Sequence, residues 1–352
     1  MLRDGLTHRP RARLRTGAVT LAVAVLLTAC ASGRSRSAGP VTPAVRVDAA
    51  LLAMADARRV ETRLLDSLLE SEPRDAAARQ RRRRAALLVG QLRVPERYVA
   101  LRSLVAHPDT ALSATAIFAL GLARDTASLV ALGEAVAGPI EGTAAEAAWA
   151  LGAIGEPARP ALESALQAVH DGGLRAGHVR RVALLRAAST LRPVPTTQVT
   201  PFLLDPDARV ATAAAYAVAR SRAVAGARAL LAQAGHADAS VRAQVAVGAA
   251  PALVGDSLLD EALRVLPALM NDPDFQVRVQ AVRSAGALLA RWDSMGVWPT
   301  SSQSVRDGVR TALRDDMAPV RVTAAEGVAP ALGADAVAWQ AAFDADTTFM
   351  VQ

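Results

Sequence analysis

The sequence predicts an all-α solenoid built from stacked helix pairs, and three observations carry that prediction. Gly90, Gly121 and Gly152 are evenly spaced along the chain, each closing an apolar run: Ala85-Ala-Leu-Leu-Val-Gly, Ala116-Ile-Phe-Ala-Leu-Gly and Ala147-Ala-Trp-Ala-Leu-Gly. Turns led by Asp recur at Asp207-Ala-Arg-Val, Asp238-Ala-Ser-Val-Arg, Asp274-Phe-Gln-Val-Arg and Asp316-Met-Ala-Pro-Val-Arg, the first interval equal to that of the glycines and the next two progressively longer. The 52% apolar content is mostly Ala, Leu and Val, with aromatics at only 3%, which suits short close-packed helices and disfavours a β-sandwich or barrel. A unit of this size cannot bury its own apolar face, so neighbours must stack to build a continuous core.

The segment 1–29 reads as an address. Arg9, Arg11, Arg13 and Arg15 precede a short apolar stretch from Gly17 to Leu27, followed by Leu27-Thr28-Ala29-Cys30. The stretch is about half the roughly 20 residues a spanning helix requires, and a basic flank with small residues before the cut is the pattern of a secretory signal. This segment resembles a bacterial lipoprotein signal peptide with its lipobox, which implies cleavage before Cys30 and a diacylglyceryl group on it. Cys30 is the single Cys of the chain, which excludes an internal disulfide framework and a Cys-based zinc site. Residues 30–47, rich in Ser, Gly and Pro, are expected as a flexible tether.

Residues 48–74 carry apolar positions at helical spacing with charges between them, and are expected as N-terminal capping helices. From 75 to 345 the unit repeats: an Asp-containing turn, an Ala-rich first helix, a Gly or Ala break and a Leu-rich second helix. His107-Pro-Asp-Thr-Ala-Leu-Ser-Ala-Thr-Ala-Ile-Phe-Ala-Leu-Gly121 shows the first half and Asp125-Thr-Ala-Ser-Leu-Val-Ala-Leu-Gly-Glu-Ala-Val136 the second. The Asp is expected to cap free amides, and Gly at the break to supply a left-handed residue that ends the helix. Residues 171–201 are irregular, with Gly172-Gly173 and Pro193-Val-Pro195, yet Val179 to Ala188 keeps the helical pattern, so a bend or imperfect unit within one array is expected. The widening gaps point to loop insertions, the largest around Trp292 to Ser304. Residues 346–352 look like the start of an incomplete repeat.

The pattern Asp-x-x-Val-Arg-x-x-Ala followed by Ala-Leu-Gly resembles HEAT repeats of the short bacterial kind also called phycobilisome-lyase-like, over roughly residues 75–335. Glu146-Ala-Ala-Trp-Ala-Leu-Gly-Ala-Ile-Gly-Glu-Pro-Ala-Arg-Pro-Ala-Leu-Glu163 carries it most fully. The resemblance implies a right-handed α-solenoid of HEAT-like helix pairs and says little of activity, because its motif residues build the unit. Arg242, Arg278 and Arg321 occupy the family's Val-Arg position, where a carboxylate-paired Arg stapling neighbouring units is expected. The order lipobox then HEAT units also resembles the front of envelope proteins that end in a cyclophilin-type prolyl isomerase domain, whose catalytic motif this chain lacks. A phycobilin lyase is rejected, since an exported, anchored protein would not meet its substrate and Cys30 is taken by the anchor.

The net charge of +7 invites a nucleic-acid reading, but the forty basic residues are all Arg, and four of the seven net charges belong to the segment 1–29. A nearly balanced body is no basic groove. The Arg81–Arg84 run is read as the solvated or snorkelling start of a helix, with electrostatic docking as the alternative. Of the five His, His107 and His236 fall at equivalent turns and none makes a metal pair. Catalytic, cofactor and metal residues are therefore expected to be absent, and Cys30 is the single site residue, for lipidation. The expected function is a lipid-anchored envelope scaffold, on the periplasmic side and at the outer membrane in preference to the inner. It would bind protein partners through long loops and a concave face lined by second helices, with no nucleic acid and no small-molecule substrate. The alternative is the scaffold half of a peptidyl-prolyl isomerase or foldase, and a structural spacer near the membrane is a third reading.

Overall fold

The computed structural model describes residues 42–221, 223–296, 299 and 302–327. The signal segment, Cys30, the tether up to residue 41 and the unit expected at 346–352 lie outside these residues. The chain divides into two compact units, Met1–Leu52 and Ala53–Gln352. Of the first, only the opening of α1 (Pro43–Ala57) is described, and it places helix where residues 43–47 were expected as tether.

The second unit is a double layer of helices. One layer holds the Ala-rich first helices: α3 (Ala76–Leu92), α5 (Thr110–Ala123), α7 (Glu141–Ile154), α9 (His178–Ala188), α11 (Ala208–Ala219), α13 (Ala239–Gly248), α16 (Phe275–Met295) and α18 (Ala318–Gly327). Each packs on the next along the row without interruption. The other layer holds the second helices α4 (Tyr98–Ser103), α6 (Leu129–Ala137), α8 (Arg159–His170), α10 (Thr196–Val199), α12 (Val224–Leu231), α15 (Leu259–Met270) and α17 (Ser302–Ala312), most of them carrying Leu. The short helices α2 (Thr62–Glu70) and α14 (Pro251–Val254) complete the set, and no strand occurs among the described residues. Leu120, Leu132, Leu151, Leu162 and Leu184 are fully buried between the layers, so successive units contribute to one continuous core. Residues 178–188 form α9, packed between α7 and α11, so the array runs on through the irregular stretch.

The Asp turns do the capping read from sequence. The Asp109 carboxylate accepts from the amides of Ala111 and Leu112 at 3.0 and 3.1 Å, and Asp207, Asp238 and Asp274 accept from the amide two residues on at 2.8 to 3.0 Å. Asp316 differs: Met317 precedes α18, and its amide donates to Asp315 at 2.9 Å. At α9 the cap residue is Gly177, which has no side chain. Glu141 of the preceding unit supplies the carboxylate, accepting from the Arg180 amide at 2.8 Å and the Gly177 amide at 3.2 Å.

The repeating glycines act differently from the expectation. Gly90, Gly121 and Gly152 lie inside their helices, and the residues with positive φ come three positions later, at Arg93 (53°), Arg124 (56°) and Gly155 (87°). The Arg93 amide bonds the Gly90 carbonyl at 3.3 Å and the Val94 amide the Val89 carbonyl at 3.0 Å, which closes a Schellman turn. The glycines themselves let neighbouring helices touch backbone to backbone. A β-carbon on Gly121 would lie 2.8 Å from Ala150 Cα, and one on Gly152 2.8 Å from Ala187 Cα.

Two further expectations change. Trp292, placed in a loop from sequence, is 4% exposed in the last turns of α16. Leu288, Leu289 and Trp292 continue one apolar face, so the helix runs on to a left-handed Gly296. The Arg81–Arg84 run begins more than one turn into α3, and Arg82 is 6% exposed, with Nε donating to the Leu69 carbonyl at 3.0 Å. That Arg fastens α2 to α3.

Candidate functional site

A broad recess lies on the Ala-rich layer, and the second helices do not line it. It is a groove of about 770 Å³ across α7, α9, α11 and the start of α13. Its floor is open because the half-exposed positions lining it are small: Ala145, Ala153, Ala183 and Ala208.

One register position runs through the groove and the two recesses that flank it on the same layer. The residue nine places after each helix cap is Phe118 on α5, Trp149 on α7, Arg186 on α9 and Tyr216 on α11, counted from Asp109, Ile140, Gly177 and Asp207. Equal register on stacked helices puts these four side chains in a row. Phe118 and Trp149 stack with ring centroids 4.5 Å apart and planes 25° apart, yet Trp149 remains 40% exposed. Tyr216 is 39% exposed, and the Arg220 guanidinium lies 5.1 Å from its ring centre. Such rings are pre-positioned platforms, held on one face and wet on the other. Val179, 43% exposed, adds an apolar contact beside Arg186. The exposed Val99, Val130 and Leu204 of the other layer are single side chains of the kind any surface carries.

The charge around the row is predominantly positive. This groove and the two recesses that continue along the same layer are lined by Arg58, Arg93, Arg186, Arg209 and Arg220, against a single carboxylate, Asp238. Arg209 is tied to Asp207 at 2.7 Å, and Asp238 is occupied with the Ser240 amide. Glu146, one turn before Trp149, is half buried, and burial pushes its carboxyl above the usual range.

The Arg residues of the Val-Arg position are structural. Arg242 donates Nε and Nη2 to the two oxygens of Asp272, in the next unit, at 2.7 and 2.8 Å, and Nη1 to its own turn at the carbonyls of His236 and Ala237. Arg278 repeats this with Asp315 at 2.8 Å twice, and adds Asp316 at 2.7 Å. Arg321 donates to the carbonyls of Asp315 and Asp316. Arg181, which sequence reasoning passed over, bonds Asp205 in the same register. Burial pushes the Asp272 and Asp315 carboxyls up, but the facing guanidinium and the turn amide outweigh it and hold both below the ordinary carboxylate value. The turn histidines play the part of those Asp residues: the amides of Asp109 and Asp238 donate to Nδ1 of His107 and His236, each at 3.0 Å.

Among the described residues no group of three or more His, Cys, Asp or Glu is placed to hold a metal ion, and no helix is long and apolar enough to cross a membrane. Cys30 is outside the described residues.

Residues 98–180 match the family model of HEAT repeats. That window runs from α4 to the start of α9, and the array on both sides of it repeats the same helix pair. No curated protein matches the chain in sequence. Among solved structures, the Kap95:Nup1 complex contains a chain similar at TM-score 0.59 and 11% identity, over 93% of this chain and 49% of that one. This chain thus spans about half the length of that relative. An engineered protein is similar at TM-score 0.50 and 16% identity, over 85% of this chain and 87% of that one. The complex of CpcE and CpcF of phycocyanin lyase from Nostoc is similar at 21% identity and TM-score 0.39, over 72% of this chain and 95% of that one. The fold is an α-solenoid of HEAT-like helix pairs.

The row of Phe118, Trp149 and Tyr216 was missed in the sequence reading, although its signal was present. Phe118 and Trp149 keep the same spacing as the glycines, and Tyr216 stands nine after its Asp as Phe118 does.

Proposed function

We propose that this chain is a lipid-anchored scaffold of the bacterial cell envelope that binds protein partners through the Ala-rich face of its HEAT array. The observation that carries the protein-binding half is the exposed row of stacked and cation-backed rings in a groove that crosses several helices. Large rings left wet and held rigid are the groups that dominate protein interfaces. A groove open along its length suits an elongated partner better than a small metabolite, which would be enclosed on most sides. A solenoid of similar fold solved in the Kap95:Nup1 complex supports the class of partner.

The anchoring half rests on the sequence pattern around Cys30, with the mature chain beginning at that residue on the periplasmic side, at the outer membrane in preference to the inner. The test expresses the full chain in a bacterial host with labelled fatty acid. Incorporation of label into the wild type, lost together with membrane retention in Cys30→Ser, is the expected result; unlabelled protein that stays membrane-bound in Cys30→Ser sinks the anchor. For the binding half, crosslinking of envelope fractions should capture a protein partner at stoichiometric yield, and repeated recovery of uncrosslinked chain alone counts against it.

A further inference from the structure

We propose that the groove on α7, α9 and α11 receives an extended, proline-containing acidic segment of a partner protein, lying across the helices in polyproline II form. The inference rests on the protein-binding reading above and names what the site would recognise.

The spacing argues for the conformation. Neighbouring packed helices are about 8–10 Å apart, and Gly121 and Gly152 keep consecutive Ala-rich helices in direct backbone contact. A polyproline II strand rises about 3.1 Å per residue with three residues per turn, so it returns the same face about every 9 Å. Each turn of such a segment therefore meets one helix of the row. A β-strand returns side chains to one face only about every 6.6–7 Å, below that range of helix spacing.

The chemistry argues for the sequence. Trp149, braced by Phe118, and Tyr216, backed by Arg220, present flat apolar faces of the kind on which proline rings lie. Between them in the row stands Arg186, exposed and without a carboxylate partner among the described ion pairs. With Phe118 stacked on Trp149 as one platform, the order along the layer is ring, guanidinium, ring, which reads out as Pro-x-x-Glu-x-x-Pro, with the Glu carboxylate over Arg186. The excess of Arg over carboxylates in the lining favours an acidic segment over a basic one. A proline segment also enters the groove with little conformational entropy left to lose, which suits a shallow site.

The experiment measures fluorescence anisotropy of a labelled Pro-Ser-Gln-Glu-Ser-Gln-Pro peptide with the full chain. Binding is expected, weakening as salt rises. Replacing the Glu of the peptide by Lys, or its prolines by Ala, should each weaken it by at least tenfold. Arg186→Glu should lose the Glu peptide and gain the Lys peptide, and Trp149→Ala should weaken both; circular dichroism melts check that the variants fold. The inference is overturned if the Glu peptide does not bind, if the Lys or Ala peptides bind equally, or if a short single-stranded DNA binds more tightly than the peptide. Capture of a crosslinked partner that survives in the Trp149→Ala, Arg186→Glu double variant would overturn this assignment alone and leave the scaffold reading standing.

Discussion

A β-carbon on Gly90 would stand 2.4 Å from the carbonyl oxygen of Ala119, the residue two before the next glycine of the series. One unit on, a β-carbon on Gly121 would stand 2.8 Å from Ala150 Cα, and one on Gly152 2.8 Å from Ala187 Cα. The repeating glycine is thus a contact point between units. Its absence of side chain sets how closely the Ala-rich helices approach, and that approach sets the spacing of the ring row on the outer face.

Gly90→Ala is expected to destabilise the array although Ala is the better helix former. The gain in helix propensity is about 1 kcal/mol, and the backbone displacement needed to admit the methyl costs about 1–3 kcal/mol. Here the clash is with main chain, so the larger figure applies. Gly133→Ala and Gly142→Ala are the controls: both lie within helices with nothing near the added carbon. They should raise the melting temperature while Gly90→Ala lowers it. Thermal melts of the three variants decide the matter, and equal shifts would refute the contact role.

Arg124 holds a left-handed backbone at the end of α5, at φ 56°. An L-residue with a β-carbon is strained there by roughly 1–2 kcal/mol, a strain glycine does not carry. Arg124→Gly should therefore stabilise the protein by about 1 kcal/mol, the rest being offset by lost interaction of the Arg charge with the helix C-terminus. Gly155, the equivalent residue one unit on, already has that solution. A lowered urea midpoint for Arg124→Gly would show that the side chain outweighs the strain.

Arg242 and Asp272 form a rung between consecutive units with both side chains largely buried, 14% and 6% exposed. Removing one partner leaves the other charged and desolvated, a change that costs about 3–5 kcal/mol for a buried pair. Arg242→Met is expected to fall at the lower end of that range because the site is partly wet. Arg242→Lys should recover little, since a single ammonium cannot reach both carboxylate oxygens and the two turn carbonyls that the guanidinium spans. Limited proteolysis should show new cuts at the turns near residues 236 and 272 in Arg242→Met, and an unchanged cleavage pattern would argue against the rung.

Acid should weaken the Arg–Asp rungs at the rear of the array. Asp272 and Asp315 sit below the ordinary carboxylate value in the folded protein, so the unfolded chain binds protons at higher pH than the folded one. Their stabilisation is complete above the unfolded value of about 4 and is lost as pH falls from there through the lower folded values. Melting temperature should be flat with respect to these groups from pH 7 to about 5 and drop below about 4. The Arg242→Met, Asp272→Asn double variant should be less stable at pH 7 and show a shallower acid drop. An identical slope would separate the acid response from this pair.

Legibility in the sequence followed the range of the interactions. The capping Asp residues could be read because a cap acts on amides only two or three positions away, and the same holds for the turn histidines, whose Nδ1 accepts from an amide two positions on. The buried Arg82 was unreadable because its partner, the Leu69 carbonyl, belongs to another helix. Trp292 was misplaced for a related reason: polar residues after it suggested a loop, but burial against neighbouring helices extends α16 through Met295.

The repeating unit is written in the chain itself: its period, its caps, its alternation of Ala-rich and Leu-rich helices, and hence the solenoid. Those are consequences of local backbone preference and of apolar residues recurring every third or fourth position. Packing between units settles the rest. It assigns the glycines their role, pairs Arg181, Arg242 and Arg278 each with an Asp of the following unit, and brings Phe118, Trp149, Arg186 and Tyr216 into one row. Each of these depends on the register between stacked helices. Register is set by how closely two backbones approach, and no single unit carries that distance in its own sequence.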